Sequence, residues 1–344
     1  MLRRAPLISL QVEEQVYFVL ETTARSEQVQ TLGERTRTLF VRLLGALWLL
    51  DGLLQLQPSM FTAAFTTNVV GNALMGLPEP LYKFSLQLLV SVMVPKLTLW
   101  NSFFAGLQIF LGLALLSRWP KLWKTALVLS IPWSLFLWVF GEGMGGILSG
   151  TMDGGVFPGT PSLINGFPGA AILYAWAAVL ALMSTEKWRL TSRFSLLLDT
   201  PAIIFTAGAI VQSAPLMWTT YGQASIFAAD LDNLPSRLAQ TVIPISKAAA
   251  AHPVTLNFLE LLSLIALSAL LWMPKRRVAY ATFSFVWLCF AWWFGLGLGG
   301  TLTGLGTDPN TPPVIALLTI PYIAAALQSK RSSRPTPTAK SSDE

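Results

Sequence analysis

Charged residues are scarce in this sequence: they make up 12% of its 344 residues, whereas 53% are hydrophobic. The mean hydropathy is +0.57. A soluble domain of this size has no interior large enough to hide so much apolar surface. Long uncharged runs are typical of segments that face lipid. The sequence therefore indicates an integral membrane protein whose main partner is the lipid bilayer.

Cysteine and histidine are almost absent, with one residue of each, Cys289 and His252. A single cysteine excludes an intrachain disulfide and argues against iron–sulfur ligation. A single histidine excludes a haem held by two histidines. There is no zinc spacing, P-loop or Ser-His-Asp set. The sequence thus indicates no resident cofactor or metal.

Apolar stretches of about 20 residues are long enough to cross a bilayer. They predict about eight transmembrane helices, near residues 39–57, 97–117, 123–143, 168–184, 194–214, 255–273, 278–296 and 312–328. Of the 23 Lys and Arg, all lie at one set of helix ends except Lys83, Lys96, Arg237 and Lys247. By the positive-inside rule, both termini lie in the cytoplasm of a multi-pass cell-membrane protein, and nucleic acid is not needed to explain the net positive charge.

The two ends and two long loops lie outside these helices. Residues 1–38 are predicted to be a cytoplasmic segment, because Glu13 and Glu14 interrupt its apolar patch before a signal-peptide core can form. Residues 330–344 are rich in Pro, Ser and Thr and are predicted to be a disordered cytoplasmic tail. The outer loops 58–96 and 215–254 contain apolar stretches too short to span, which predict helices lying on or dipping into the outer face.

The sequence contains an internal duplication at a shift of about 155 residues. Gln55-x-x-Pro-x-Met returns at Gln212, and a Phe-Gly-x-Gly-x-Gly-Gly segment begins at both Phe140 and Phe294. The fold class predicted is all-α and polytopic, with two four-helix repeats over 39–190 and 191–329. Because four helices per repeat is an even number, the repeats are expected to run parallel, related by an axis along the membrane normal.

The first predicted span reads RLLGALWLLDGLLQLQP over residues 42–58. With its basic start, the long outer loop behind it and three further helices, it resembles the DoxX-type four-helix membrane proteins. These include the membrane subunit of thiosulfate:quinone oxidoreductases. The resemblance applies once per repeat and implies a redox accessory subunit that interacts with a quinone or lipid.

The glycine-rich segments invite a nucleotide-binding interpretation, but no predicted strand precedes them and no Lys or Arg stands nearby to meet phosphate. Their spacing instead forms GxxxG pairs, which let helix backbones approach closely. These pairs are Gly141/Gly145, Gly146/Gly150, Gly295/Gly299 and Gly300/Gly304. The sequence predicts helix-packing faces here, and the alternative is a flexible lip that lines an outer cavity.

Ionisable residues at membrane depth are the best candidates for function, since each costs roughly 2.5–3.5 kcal/mol at the centre of a helix. Asp51, Glu142 and Glu260 all lie toward the outer side, and none is repeated in the other half. Amides do recur in both halves. We predict a substrate-binding vestibule formed by Asp51, Gln55, Asn101, Glu142, Gln212, Asn257 and Glu260.

A structural alternative remains for each acid of this set: it reaches the interface or accepts a hydrogen bond between helices. Asp153 and Asp308 stand beside Gly and Pro in outer loops, where aspartate commonly forms turns. They are predicted to be turn residues and not ligands.

Three functions stay open on these observations. The first is a quinone-interacting or lipid-interacting redox accessory subunit. The second is a transporter of a small solute or ion, with a site between the two repeats. The third is a non-catalytic assembly partner of another membrane protein, which suits the scarcity of chemically active residues.

The predicted topology can be tested with tags inserted into the loops that follow residues 117 and 143. One predicted helix separates the two loops, so the tags should be reachable from opposite sides of the membrane. If both tags are reachable from the same side, the topology and the vestibule that depends on it are wrong.

Overall fold

The computed structural model describes residues 32–148, 161–190, 195–228, 231, 234–271, 273 and 277–332. These residues contain helices and turns but no strand, so the chain is all-helical where it is described. Long helices of its first part are α1 (32–54), α2 (Glu79–Leu88), α3 (Leu97–Leu116), α4 (Pro120–Phe140) and α5 (Ala170–Leu182). Those of its second part are α6 (Leu196–Gln212), α7 (Thr220–Ala228), α8 (Ser236–Ala251), α9 (Pro253–Leu271), α10 (Arg277–Phe290) and α11 (Thr311–Ser332).

Three helical segments are long and apolar enough to cross a membrane: Glu79–Leu116, Pro120–Phe140 and Pro253–Leu270. Four other apolar helices are shorter, namely Ala170–Leu182, Leu196–Gln212, Ala279–Gly295 and Thr311–Leu327. Each of the eight segments predicted as spans forms a helix, with ends that differ by a few residues from the predicted ones. The helices pack around one core that contains large side chains such as Trp48, Phe205 and Tyr280.

The first helix starts earlier than the apolar pattern indicates. It is helical from residue 32 to 54, so residue 39, the predicted start of the first span, lies inside α1. Arg37 explains the difference, because its guanidinium donates two hydrogen bonds, of 2.9 and 2.8 Å, to the carbonyl oxygen of Ala181 near the end of α5. The same group lies 5.3 Å from the ring centroid of Trp123. These contacts hold a polar turn of helix against the bundle.

The apolar stretches of both long loops are helical, as predicted. Residues 84–93 belong to α2 and to the π-helix Leu89–Met93 behind it, residue 94 begins the 3₁₀ helix Val94–Lys96, and residues 237–251 belong to α8. The first loop has a second π-helix, Phe65–Gly71. A π-helix has a wider turn, which shifts side chains out of the usual helical register, and such segments frequently occur at functional sites.

The glycine-rich segments form left-handed turns, so the predicted GxxxG helix-packing faces are wrong where both glycines are described; Gly150, the partner of Gly146, lies outside the described residues. Helix α4 ends at Phe140. Residues 143–146 then have φ angles of 54°, 58°, 64° and 70°, and residues 297–300 have 52°, 58°, 68° and 66°. Four successive left-handed residues are strained for any residue with a Cβ, which explains why glycine takes three of the four positions in each turn.

Several matched positions of the two parts have the same local geometry. The Trp138 indole donates to the carbonyl of Pro168 at 2.8 Å, and the Trp292 indole donates to that of Pro309 at 2.7 Å. The Gln55 side-chain amide donates to Asn101 Oδ1 at 2.6 Å, and the amide of Gln212 donates to Asn257 Oδ1 at 2.7 Å. Two 3₁₀ helices, Pro58–Phe61 and Pro215–Trp218, follow α1 and α6.

The left-handed turn after α4 predicts a sharp contrast between two glycine substitutions. Gly145 has a φ of 64°, and a Cβ there would meet the backbone of Pro168, whereas a Cβ on Gly106 inside α3 would meet nothing within 4 Å. We expect Gly145→Ala to lower the free energy of unfolding by about 3 kcal/mol, from left-handed strain and the clash. Gly106→Ala should leave it unchanged or raise it by about 1 kcal/mol. Thermal unfolding of the purified protein in detergent measures both, and equal effects would contradict the turn.

Candidate functional site

A partly enclosed cavity lies at the end of the bundle where α1 and α4 end and α5 begins. About 770 Å³ of space not filled by protein atoms lies within it, counting the part open to the outside. The part that the centre of a water-sized sphere can reach is about 110 Å³, and its walls are mostly apolar with a few converging polar groups, as in small-molecule sites. Its apolar wall comes from Phe65, Val69, Val70, Met93, Phe104, Phe136, Leu137 and Phe140.

Five polar side chains that line the cavity carry a deeply buried atom without a hydrogen-bond partner among the described residues. Each side chain is at most 4% exposed. The atoms are the indole Nε1 of Trp48, Oδ1 of Asp51, Oε1 of Gln55, Oε1 of Gln108 and the hydroxyl of Tyr174. Buried polar atoms are nearly always paired, so five such atoms around one space would be satisfied by a bound molecule or by water inside it.

Asp51 and Tyr174 form the deepest part of this group. The Asp51 carboxylate and the Tyr174 hydroxyl are close enough to interact, although their geometry is poorer than that of a well-formed hydrogen bond. The Tyr174 ring packs against Trp48, with ring centroids 4.6 Å apart. One carboxylate oxygen of Asp51 has no well-formed hydrogen bond to a described residue.

Glu142 reaches the cavity from the glycine turn. Because α4 ends at Phe140, this residue lies beyond the helix and not within its last turn as predicted. Its carboxylate oxygens accept from the Ala171 N–H at 3.0 and 3.1 Å, at the amino end of α5. Such a contact satisfies a free helix N–H and complements the helix dipole. The structural alternative, a bond between helical elements, therefore applies to Glu142, which also lines the cavity.

Asp308 completes a set of three acids around the cavity. It forms the turn that the sequence predicts, since its carboxylate accepts from the Asn310 N–H at 2.6 Å and from the Thr307 hydroxyl at 2.9 Å. The prediction that Asp308 is only a turn residue is incomplete, because its side chain also lines the cavity from the loop before α11. The described residues that line the cavity include no Lys, Arg or His.

The pKa values of the two acids outside the helices reflect this crowding. Burial raises the pKa of Glu142 well above its usual range, the nearby Asp308 raises it further, and the N–H groups at the start of α5 oppose the shift. Burial also raises the pKa of Asp308. When the pKa of a carboxyl is higher in the folded state than in the unfolded state, the free energy of unfolding falls as the pH rises above about 4.3, the ordinary glutamate value. The fall ends when the group also ionises in the folded state. A ligand that neutralises these acids would offset that loss.

The second part of the chain holds a separate buried polar cluster. Gln212 Nε2 donates to Asn257 Oδ1 at 2.7 Å and to Glu260 Oε2 at 2.6 Å. Gln223 Nε2 donates to the same two oxygens at 3.2 Å each, and the Ser162 hydroxyl donates to Gln212 Oε1 at 2.7 Å. Glu260 is thus held by side-chain amides, which corresponds to the structural alternative for this acid.

The structure therefore divides the seven residues predicted as one vestibule. Asp51, Gln55 and Glu142 line the cavity, and Asn101 lies behind it, bonded to Gln55. Gln212, Asn257 and Glu260 form the other cluster. Sequence reasoning missed four polar residues: Trp48, Gln108 and Tyr174 at the cavity and Gln223 in the cluster. The sequence does contain a signal for Gln108, since it is an amide within the apolar helix α3.

No family model, curated protein or solved structure matches this chain. The geometry of the cavity and of the polar cluster is therefore the basis on which a function is argued.

Gln212 is fully hydrogen-bonded and the Gln108 side-chain oxygen is not, so the same substitution should change the free energy of unfolding by different amounts at the two positions. Gln212→Leu removes hydrogen bonds to Ser162, Asn257 and Glu260, and we expect it to lower the free energy of unfolding by about 3 kcal/mol. Gln108→Leu removes a buried oxygen that has no partner, so its effect should stay within about 1 kcal/mol. Thermal unfolding in detergent compares the two. If Gln108→Leu destabilises as much as Gln212→Leu, the cavity glutamine is structural.

Proposed function

We propose that this chain is a multi-pass membrane protein that binds an amphipathic small molecule, with a quinol as the candidate, in the cavity beside Asp51. The observation that carries the proposal is the convergence on one cavity of five buried polar atoms that have no partner among the described residues. The DoxX-type resemblance of the first helix fits this proposal, because members of that family interact with quinones.

The proposal includes a topology of about eight spans in two related halves, with both termini in the cytoplasm of the cell membrane. Its support is the recurrence of matched elements: the Gln–Asn hydrogen bond, the 3₁₀ helix, the left-handed turn and the Trp-to-Pro hydrogen bond. Short helices are compatible with spanning where further turns extend them, as the π-helix Ala291–Gly295 extends α10. The cavity then lies toward the outer face.

Comparison of matched positions supports a role for the cavity beyond folding. Counted from the matched Gln, Asn, Trp and Pro anchors, five polar lining residues have an apolar or glycine counterpart in the second part, whereas Gln55 is matched by Gln212. Phe205, Gly208, Leu264, Leu296 and Ile315 match Trp48, Asp51, Gln108, Glu142 and Tyr174, respectively. Four of the five counterparts are buried hydrophobic residues, and Leu163 packs against Gly208. The same scaffold can therefore carry apolar side chains at these five positions, so its folding does not depend on polar groups there.

The orphaned atoms define the chemistry of the ligand's head. Asp51, Gln55 and Gln108 offer acceptor oxygens, while the Trp48 indole and the Tyr174 hydroxyl offer donors. A quinol carries two hydroxyl groups that both donate and accept, on an aromatic ring suited to the surrounding Phe side chains. A free carboxylate oxygen beside a hydroxyl donor gives a short, charge-assisted hydrogen bond.

A transporter of small organic cations is the second candidate. It is favoured by the three acids that line the cavity without a basic residue among the described lining residues. A cation would neutralise Asp51, Glu142 and Asp308 as a quinol would not. Uptake of a radiolabelled amine into liposomes, abolished by Asp51→Asn, would favour this function over quinol binding.

Binding of a tailless benzoquinol to the purified protein tests the main proposal. Asp51→Asn keeps the shape of the side chain but removes the charge, so we expect binding to weaken by about 10- to 100-fold. Glu79→Gln is the matched control, because it removes a carboxylate that lies on the surface and pairs with Lys83. Isothermal titration measures both variants, and organic extraction of the wild type should yield a quinone in stoichiometric amount.

Two results would contradict this proposal. Equal binding to the wild type and Asp51→Asn would remove the cavity as the site. An extract without quinone, together with a stable complex with a second membrane protein, would favour the assembly partner.

A further inference from the structure

A second, almost wholly apolar groove lies beside the polar cavity. It contains about 650 Å³ of space not filled by protein atoms, counting the part open to the outside. One wall comes from α2 and the π-helix behind it, and the opposite wall from α3 and α4. Residues found only in this groove are Leu74, Ser85, Leu88, Leu89, Val92 and Trp100.

The groove and the cavity are continuous. Five residues line both of them: Val70, Met93, Phe104, Phe136 and Phe140. These side chains form an apolar boundary, with the acids and amides on one side and the groove on the other. A molecule whose polar end occupies the cavity can therefore extend past them without meeting a polar wall.

The groove has nothing to hold water or a polar solute. Its polar exceptions are Ser85, whose buried hydroxyl has no partner among the described residues, and Trp100, whose indole N–H donates to the Val92 carbonyl at 3.1 Å. A site that holds water needs two to four polar partners for each molecule. Hydrocarbon is the chemistry that fits these walls.

The mouth of the groove faces an apolar surface. On α2 and the following π-helix, Phe84, Leu88, Val90 and Val92 are between 39% and 58% exposed. A run of large exposed hydrophobic side chains on one helical segment is unfavourable in water and suits contact with lipid chains.

We propose that this groove holds the hydrocarbon chain of the same ligand whose head occupies the polar cavity. The ligand is then a single-chain, lipid-like molecule that enters sideways from the bilayer between α2 and the α3–α4 pair. This inference rests on the proposed function, and it adds the chain, its position and the direction of entry.

Two ligands that share one head and differ in the chain test it: a tailless benzoquinol and the same ring with a decyl chain. Ser85→Trp places a large ring in the groove, and we expect it to weaken binding of the decyl compound at least ~10-fold. Binding of the tailless compound should stay within ~2-fold. Comparing each ligand between variants cancels its partition into detergent.

Phe84→Trp is the matched control. Phe84 is the preceding residue on α2, is 54% exposed and does not line the groove. We expect it to leave the binding of both ligands unchanged. If Ser85→Trp does not fold, a decyl benzoquinol with a diazirine at the chain end provides an independent measurement. In the wild-type protein, its photo-labels should map to the segment 85–100.

The outcomes separate the two proposals. If the tailless ligand binds in an Asp51-dependent manner but Ser85→Trp weakens both ligands equally or neither, the groove proposal fails and the proposed function stands. Photo-labels outside the groove have the same meaning. If neither ligand binds the wild-type protein, the proposed function fails and the groove proposal fails with it.

Discussion

The requirement that a buried polar atom finds a hydrogen-bond partner governs how the two parts of this chain differ. Away from water, an unpaired donor or acceptor destabilises the fold by ~1–3 kcal/mol. In the second part, Gln212 and Gln223 both donate to Glu260 and Asn257. In the first part, polar atoms of five side chains around one cavity have no such partner among the described residues. The cluster of the second part also has unpartnered atoms, on Gln223, Asn257 and Glu260, but each of these side chains is bonded through its other polar atom. Under the proposed function, a bound molecule that donates and accepts hydrogen bonds would satisfy the atoms of the cavity.

The backbone at the end of α4 positions this site. A left-handed turn over residues 143–146 reverses the chain and places Glu142 under the first N–H groups of α5. The same turn occurs over residues 297–300, where the position of Glu142 is taken by the buried Leu296. The same backbone turn therefore follows an acid in the first part and an apolar side chain in the second, so the turn does not itself require the acid.

The sequence predicts the helices and part of the site, and the limits have physical causes. Asp51 and the Gln–Asn pairs stand out because polar groups inside apolar helices are expensive and need a reason. Tyr174 gives no such signal, since tyrosine is common in buried helices. Asp308 reaches the cavity from a loop far along the chain, which no local pattern reveals. The glycine spacing does not distinguish a helix-packing face from a left-handed turn. In the turn, glycine is required by the backbone conformation and not by helix packing.

The central claim is that the cavity beside Asp51 is a binding site for a molecule from the membrane. An experimental structure of the protein in nanodiscs made from its own membrane lipids tests this most directly. The account predicts non-protein density within hydrogen-bond distance of Asp51 and Tyr174, continuing past Phe104 and Phe136 into the groove beside α2. A cavity that has collapsed, with the Asp51 carboxylate and the Gln108 amide bonded to protein side chains, would contradict it.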